Sequence, residues 1–423
     1  MTYLEAVKYL YDALPLFQRV GAIAYKADLS NTILLCQSLG NPQNKFKSIH
    51  VAGTNGKGSS SHMLAAILQT AGYKTGLYTS PHLKEFTERI KISGIEIDKV
   101  YVTDFVTRIK PVIEEIKPSF FEITVAMAFD YFAHQQVDVA VIEVGLGGRL
   151  DSTNVITPIV SLITNISWDH QDLLGDTLPK IAFEKAGIIK PNVPVVISER
   201  NVSVDYVFKQ KSSKTSSSIQ FAVDDWKINQ TGDSFNVAHH GKTDQYVLDL
   251  RGAYQRNNLA GILATVEVLR NKGFRVDVSH VHHALKNVSK LTGLKGRWQL
   301  LATKPTIICD TGHNEGGVRE VVRQLREQKF EKLFIVWGSV KDKDITTILS
   351  LLPKEAYYFF CEAKIPRAMN AGELHRQAAV QQLEGEVVSD VNEAILRAKL
   401  RSSENDFIFI GGSTFVVAEI DGL

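Results

Sequence analysis

The sequence has few cysteines, no long apolar run and little net charge, and each shortage excludes a class of protein. The three cysteines, Cys36, Cys309 and Cys361, lie far apart without a CxxC pair or a metal-ligand spacing. This pattern favours a reducing compartment over a disulfide framework. No apolar run approaches the ~18 residues that span a bilayer. The formal net charge of +2 gives no argument for a nucleic-acid or membrane partner.

The N-terminal segment MTYLEAVKYLYDAL has acidic residues among its apolar ones and lacks the basic region and cleavage site of a signal peptide. It predicts an amphipathic helix, and we expect a cytoplasmic protein. The length of 423 residues suggests two or three domains at ~150 residues per domain.

Continuous apolar runs in the first half predict strands that are covered on both faces, as in a parallel sheet. They are Ser48–Ala52, Thr75–Thr79, Asp138–Val144, Ile159–Ile166 and Val193–Ser198. A helical pattern separates the first two, with apolar residues at Met63, Leu64, Ile67, Leu68 and Ala71. This alternation predicts an α/β fold with a doubly wound, mostly parallel sheet.

The composition and the hydrophobic pattern of the sequence change between residues 209 and 250. The stretch KSSKTSSS, Lys211–Ser218, predicts a flexible surface loop, and alternating segments such as Tyr246–Leu250 predict a small antiparallel annex. A second alternation follows, with predicted strands at Thr306–Asp310, Lys332–Trp337, Ala356–Cys361 and Asp406–Ile410. We expect a first domain at 1–295, a smaller Rossmann-like domain at 296–423, and a hinge near residues 290–299.

The most informative segment is GTNGKGS, Gly53–Ser59, between a predicted strand and a predicted helix. Its residues are Gly53, Thr54, Asn55, Gly56, Lys57, Gly58 and Ser59. The glycines let successive N–H groups face phosphate oxygens, and Lys57 supplies a mobile positive charge. The segment is not a strict G-x-x-x-x-G-K-[ST] loop, since Val51 and Gly58 break that pattern. The alternative is a Gly-rich turn without a ligand.

Together, the motifs of this chain resemble the Mur ligase superfamily in its folylpolyglutamate synthase/dihydrofolate synthase branch. After GTNGKGS, the segments that carry the resemblance are LYTSPHL, ERIKISG, FFEITVA, VIEVGLGGRLDSTN, DHQDLLG, EKAGIIKP, YQRNNLA, GRWQ, DTGHN, KDKD and GGST. Each is weak alone, but their order and spacing over nearly the whole chain are specific. The resemblance implies a phosphate-loop ATPase domain followed by a glutamate ligase domain.

Polar residues lie at or just after the ends of three predicted strands, where α/β sheets present functional groups. Glu143 could be an exposed strand-end carboxylate, Ser80 a helix cap, and His170 an ordinary loop residue. The resemblance implies instead that Ser80 and Glu143 bind one Mg²⁺ ion and that His170 helps to bind a second, with K⁺ as a further candidate ion. It also implies that Lys185 carries a carbamate directed toward the metal, since an ammonium beside Mg²⁺ would be repelled.

The resemblance assigns the remaining nucleotide contacts to both predicted domains. It implies that Asn258 contacts adenine or ribose, that Arg297 and Asp310 bind the nucleotide, and that His313 lies near the γ-phosphate. Such a distribution predicts a cleft that closes over ATP and excludes water. The pairs His239–His240 and His282–His283 have no partners at metal spacing, and we interpret them as surface residues.

An acceptor site is predicted at FFE and GRLDST. Phe120, Phe121 and Glu122 offer aromatic faces and a carboxylate for a flat pterin, although a core helix explains the two phenylalanines equally well. The resemblance adds Leu150, Asp151 and Ser152 to a dihydropteroate pocket.

These residues, together with the resemblance, predict an ATP- and Mg²⁺-dependent ligase that joins L-glutamate to dihydropteroate and to reduced folates through an acyl phosphate. The resemblance implies a monomer. Folylpolyglutamate synthase activity alone is the first alternative. A cell-wall Mur ligase is disfavoured because only residues 1–52 precede Gly53, whereas such enzymes carry a nucleotide-sugar domain there. A regulatory nucleotide-binding module is disfavoured by Glu143, His170 and Lys185.

Overall fold

The computed structural model describes residues 1–13, 28–232, 234–341 and 344–423. It contains two compact units. The first comprises Met1–Asp249 and Gln255–Leu294, and the second comprises Leu250–Tyr254 and Lys295–Leu423. The domain limits 1–295 and 296–423 stay a prediction, as does the hinge. Among the described residues, no helix has the length and apolar character needed to cross a membrane.

The first unit is built on a sheet that, in the described ranges, has eight strands. These are β1 (Lys47–Ala52), β2 (Thr75–Tyr78), β3 (Ile90–Ile92), β4 (Ile95–Glu96), β5 (Val139–Glu143), β6 (Val160–Ile163), β7 (Val195–Ile197) and β8 (Ile219–Phe221). They are ordered β4-β3-β2-β5-β1-β6-β7-β8, and only the pairs that include β3 are antiparallel. Every residue of β5 and β6 is buried, which explains their continuous apolar sequences.

The helices of the first unit lie between and after these strands. They are α1 (Tyr3–Ala13), α2 (Ser30–Ser38), α3 (Lys57–Thr70), α4 (Lys99–Ile116), α5 (Phe120–His134), α6 (Gln171–Leu174), α7 (Leu178–Ala186), α8 (Asp205–Lys214), α9 (Ala222–Asp225), α10 (Gln255–Asn271), α11 (Val278–Leu285) and α12 (Val288–Thr292). Helix α5 begins with a capping box in which Ser119 and Glu122 accept hydrogen bonds from each other's backbone N–H groups. The predicted α/β fold with a mostly parallel sheet is confirmed.

A small antiparallel sheet forms the predicted annex. Its strands are β9 (Lys227–Thr231), β10 (Ser234–His239) and β11 (Lys242–Val247), in the order β11-β10-β9. In β10 the buried residues Phe235 and Val237 alternate with more exposed ones, as expected when a single face is covered.

The prediction of a loop over Lys211–Ser218 was wrong in its first half. Residues up to Lys214 form the last turn of α8, in which Phe208 and Ser212 are buried on one face. Packing of this face outweighs the low helix propensity of consecutive serines, which propensity alone does not reveal.

The second unit contains a mixed sheet, confirming the predicted Rossmann-like fold. Its strands are β12 (Gln299–Thr303), β13 (Thr306–Cys309), β14 (Leu333–Trp337), β15 (Tyr357–Phe360), β16 (Glu384–Val387) and β17 (Phe407–Gly411). They are ordered β12-β13-β17-β14-β15-β16, and only β12 pairs antiparallel. The helices are α13 (Glu315–Arg326), α14 (Ile345–Leu351), α15 (Ala371–Val380), α16 (Val391–Arg401) and α17 (Thr414–Ala418). Two residues of the KDKD motif, 342 and 343, lie outside the described residues.

Candidate active site

The loop Gly53–Gly56 connects the end of β1 to the first residue of α3. Gly53 and Gly56 have φ values of 147° and 85°, and a Cβ atom on either would lie within 2.3 Å of a neighbouring side-chain oxygen. The Nζ atom of Lys57 donates hydrogen bonds to the carbonyl oxygens of Gly53 at 3.0 Å and Thr54 at 3.1 Å. The lysine therefore lies over the loop, at the N-terminus of a helix that favours anions.

A neighbouring segment after β6 fixes the shape of this loop. The backbone N–H of Thr54 donates to the Asn165 carbonyl at 2.9 Å, and that of Asn55 donates to Asn165 Oδ1 at 2.8 Å. The Thr164 hydroxyl donates to the carbonyl of Asn55 at 2.5 Å. The roles of Asn165 and Thr164 were not predicted from the sequence, because they depend on β1 and β6 being neighbours.

Glu143 ends β5, beside the phosphate loop in the sheet, since Val51 of β1 pairs with Glu143. Its side chain is buried, and Oε2 accepts a hydrogen bond from the backbone N–H of Ser80 at 3.3 Å. The predicted metal ligands Ser80 and Glu143 therefore lie together. Their oxygen atoms are of the kind that Mg²⁺ prefers.

The ε-amino group of Lys185 is buried against the same loop. Its Nζ atom donates to the carbonyl oxygen of Gly53 at 2.9 Å. Burial and, to a smaller extent, the positive charge of Lys57 lower the pKa of this amine, and Asp169 and Asp151 oppose the shift; the result is a pKa of about 7. Near neutral pH a large fraction of this amine is therefore unprotonated.

His170 lies at the start of α6 with a φ of 48°. Its Nε2 atom is 3.8 Å from Oδ2 of Asp169, and about a quarter of its side chain is exposed. Because Asp169 also influences the pKa of Lys185, His170 belongs to the same region as the amine.

Arg89 is a buried cation close to this region that sequence analysis missed. Its Nε–H donates to Nδ1 of His82 at 2.7 Å, and its guanidinium faces the Phe120 ring at 5.2 Å from the centroid. Burial lowers its pKa, whereas nearby Tyr78 and Glu143 raise it. The sequence did contain a signal for Arg89, since this residue belongs to ERIKISG, one of the segments that carry the family resemblance.

The two segments of the predicted pterin site are neighbours, because α5 contacts the 3₁₀ turn Ser152–Val155. Phe121 is half-buried, and its ring covers the backbone of Gly145, where a Cβ atom would lie 2.4 Å from it. Phe120 is buried in the core, with its ring stacked on Tyr11 at 5.2 Å. Phe121 is thus the better placed of the two to meet a ligand.

The carboxylates of Glu122 and Asp151, in the same region, also accept hydrogen bonds that stabilise the local backbone. Glu122 closes the capping box of α5. Asp151 caps the 3₁₀ turn, accepting hydrogen bonds from Leu146 N at 2.8 Å and Thr153 N at 3.0 Å. Burial raises the pKa of Asp151, and these hydrogen bonds oppose the rise. Leu150 is partly exposed, and Ser152 is buried at the start of the turn.

Asn258, in α10, lies against the phosphate loop. Its Oδ1 atom would lie 2.3 Å from a Cβ atom on Gly56, and its Nδ2 donates to Gln255 Oε1 at 2.8 Å. Gln255 in turn donates to the Ser59 hydroxyl at 3.2 Å. This chain of polar side chains links α10 to the first turn of α3.

Three predicted residues of the second unit lie around the end of β13. Buried Asp310 accepts hydrogen bonds from Trp298 N at 2.7 Å, Gly312 N at 2.7 Å and the Tyr254 hydroxyl at 2.9 Å. Burial raises the pKa of Asp310, and Arg297 opposes this rise.

Arg297 and His313 both donate hydrogen bonds to Thr311, which follows Asp310. Arg297 donates to the hydroxyl of Thr311, and the imidazole Nδ1 of His313 is 2.9 Å from the Thr311 carbonyl oxygen, which accepts its N–H. Tyr254 and Thr311 were not singled out from the sequence.

Both halves of the chain match domains of a known family. Residues 51–266 match the Mur ligase middle domain, and residues 296–414 match the Mur ligase glutamate ligase domain.

Curated relatives extend this similarity over the whole chain. A dihydrofolate synthase/folylpolyglutamate synthase of Bacillus subtilis is 32% identical, covering 93% of this chain and 94% of the relative. A probable bifunctional folylpolyglutamate synthase/dihydropteroate synthase of Haloferax volcanii is 33% identical over 99% of this chain. The chain spans about half the length of this archaeal relative, 50%.

Solved structures show the same fold. Escherichia coli FolC in complex with DHPP and ADP superposes with a TM-score of 0.87 at 27% identity, covering 99% of this chain and 96% of that one. The bifunctional folylpolyglutamate synthase/dihydrofolate synthase of Yersinia pestis, complexed with AMPPNP and a Mn ion, gives 0.84 at 28% identity, with 99% and 97% coverage.

Proposed function

The chain belongs to the Mur ligase family, in its dihydrofolate synthase/folylpolyglutamate synthase branch, and we propose that it adds L-glutamate both to dihydropteroate and to the γ-carboxyl group of folates. It is an ATP-dependent ligase. The observation that carries the proposal is the burial of the Glu143 carboxylate and the Lys185 amine at the sheet edge that bears the phosphate loop. Folylpolyglutamate synthase activity alone is the alternative.

We assign the phosphates of ATP to the loop Gly53–Ser59 and a divalent ion to Ser80 and Glu143. The Mn ion and AMPPNP of the Yersinia pestis structure support a nucleotide and a divalent ion as the ligands. A buried carboxylate next to a serine residue fits Mg²⁺, which would neutralise phosphate charge. His170 is the proposed ligand of a second Mg²⁺ ion. K⁺ is a further candidate ion to which no residue is assigned.

The buried amine of Lys185 supports its modification to a carbamate. Only the unprotonated amine attacks CO₂: a C–N bond forms, and the nitrogen loses one proton. The product is an anion beside Lys57, whereas the unmodified ammonium would repel that lysine. The proposed role of the carbamate is to orient the metal ion.

The reaction needs two successive displacements. A carboxylate oxygen of the acceptor attacks the γ-phosphorus of ATP, ADP leaves, and an acyl phosphate forms. The neutral amine of L-glutamate then attacks the carbonyl carbon, phosphate leaves, and the nitrogen loses a proton to give the amide. Lys57 and the loop N–H groups act by positioning and by neutralising charge, without a protein nucleophile.

The remaining assignments concern the nucleotide and the acceptor. We assign adenine or ribose to Asn258, further nucleotide contacts to Arg297 and Asp310, and a position near the γ-phosphate to His313. Phe121, with Phe120, Glu122, Leu150, Asp151 and Ser152, is proposed to form the pterin pocket.

The buried thiols Cys36, Cys309 and Cys361 are unpaired, which supports a reducing compartment, the cytoplasm. A monomer stays our expectation.

An ADP-release assay tests the proposal. The purified chain is supplied with ATP, Mg²⁺ and L-glutamate, and dihydropteroate, tetrahydrofolate or a nucleotide-sugar acceptor of cell-wall Mur ligases is added. We expect ADP release with both pterins that depends strictly on glutamate. Release with the nucleotide-sugar alone would contradict the proposal, as would glutamate-independent release.

A further inference from the structure

Two consecutive histidines of the annex lie beside a glutamate of α10. All three residues are distant in sequence from the phosphate loop. His239 ends β10, His240 follows in the hairpin turn, and Glu267 lies near the C-terminal end of α10. One potential ligand atom from each lies within 4.8 Å of the other two. His239 is partly buried and His240 is exposed, so both lie at the surface as predicted, but the expectation that they have no partners at metal spacing was wrong.

The imidazole of His239 is held in place without a hydrogen bond to its inner nitrogen. Trp226 stacks on it at 3.6 Å between ring centroids with an interplanar angle of 6°. Its Nε2 atom is buried, and within the described residues no hydrogen-bond partner reaches it. The nearest charged atom is Oε2 of Glu267 at 3.7 Å, which is beyond hydrogen-bonding distance. A buried, unsatisfied nitrogen is costly, so its position needs an explanation.

The position of His240 is also unusual. His240 and Gly241 form a two-residue turn between β10 and β11, with φ values of 47° and 75°. Asn or Gly is the favoured residue at such a position, because both central residues need positive φ. A histidine there directs an imidazole toward the same cluster at some conformational cost.

From this geometry we propose that His239, His240 and Glu267 bind a divalent transition-metal ion, Zn²⁺ by preference. Two imidazoles and one carboxylate are a common donor set of three-ligand zinc sites. Ligands ~2.0 Å from a tetrahedral ion are ~3.3 Å apart. The 3.7 Å between His239 Nε2 and Glu267 Oε2 is close to this value, and the other two pairs, within 4.8 Å, require a further approach of the side chains. Mg²⁺ prefers oxygen ligands, so this site is distinct in chemistry from the one at Glu143.

A bound ion would tie the annex to α10. Its two imidazoles belong to the β10–β11 hairpin and its carboxylate to the helix, whose N-terminal end contains Gln255 and Asn258 near the phosphate loop. Because the ion binds only the folded arrangement of the three side chains, it stabilises the chain by linkage. The proposed role is structural, and activity need not depend on it.

Zinc titration of the full chain tests the proposal. The protein is stripped with a chelator and titrated with Zn²⁺ in excess Mg²⁺, against a chromophoric competitor. His240→Asn removes one ligand while suiting the turn, and Glu267→Gln removes the carboxylate with little change in shape. The control variant is His283→Asn, because His283 is an exposed histidine outside the cluster.

We expect one tight Zn²⁺ equivalent in the wild type and in the control, weakened at least about tenfold in both ligand variants. Zn²⁺ should also raise the Tm of the wild type and the control, but not of His240→Asn. Equal numbers of tight equivalents in all four proteins would overturn the proposal, as would no tight equivalent in the wild type.

Discussion

The side-chain nitrogen of Lys185 donates a hydrogen bond of 2.9 Å to the carbonyl oxygen of Gly53, although the two residues are 132 positions apart in the sequence. This contact joins α7 to the first residue of the phosphate loop. It brings a buried amine with a lowered pKa to the position where the resemblance expects a modified lysine.

The first prediction concerns the charges of the phosphate and metal sites. Lys57→Ala and Glu143→Ala should each reduce ATP-dependent ligation by ~10²-fold or more, because each removes a charge that the transferring phosphoryl group needs. The folded structure should persist, and far-UV circular dichroism together with Tm checks this. Lys272→Ala, at an exposed lysine, is the control. Unfolded mutants would show that Lys57 and Glu143 are structural.

The second prediction concerns modification of Lys185. Lys185→Ala should lose most activity, and a small added carboxylate such as acetate should restore part of it by occupying the vacated space. A high-resolution crystal structure should show three extra atoms on Nζ. An active crystal with a bare amine, together with a fully active Lys185→Ala variant, would refute the carbamate.

The third prediction concerns the acceptor. Dihydropteroate should be a substrate, and Phe121→Ala should raise the KM for pterin acceptors more than the KM for ATP, because the ring is half-buried over Gly145. Tyr206→Ala replaces an exposed aromatic ring elsewhere and should leave both constants unchanged. Turnover with tetrahydrofolate and none with dihydropteroate would leave a folylpolyglutamate synthase alone.

The fourth prediction concerns acid stability. His50 is fully buried in β1, and its Nε2 atom is 2.9 Å from the Thr153 hydroxyl. Burial lowers its pKa from 6.5 to about 3, and Lys190 contributes to the shift. Below pH 6.5 the unfolded chain therefore binds a proton that the folded chain does not, so stability falls as the pH falls toward 3.

At about pH 5 the expected loss from this one group is about 2 kcal/mol in the free energy of unfolding. His50→Gln should flatten this part of the pH dependence, as measured by urea unfolding between about pH 7 and about pH 5. His134→Gln, at a histidine near the end of α5, is the comparison variant. An unchanged slope in His50→Gln would contradict the assignment.

The local sequence determined the elements that build the site. Continuous apolar runs gave β1, β5 and β6, because strands buried on both faces have no polar residues to alternate with. The glycines and Lys57 indicated the phosphate loop, since few residue types fit that backbone and that charge. Glu143, at the end of an apolar run, was predicted to lie at a functional sheet edge.

Other features depended on tertiary contacts that no local pattern contains. Helix α8 continues into a serine-rich stretch because Phe208 and Ser212 are buried on one face. Thr164 and Asn165 shape the phosphate loop only because β6 lies beside β1. The cluster of His239, His240 and Glu267 exists because the small antiparallel sheet packs against α10, whose Glu267 is 27 positions beyond His240 in the chain. Sequence alone determined which groups could act, and the pairing of distant segments decided which of them meet.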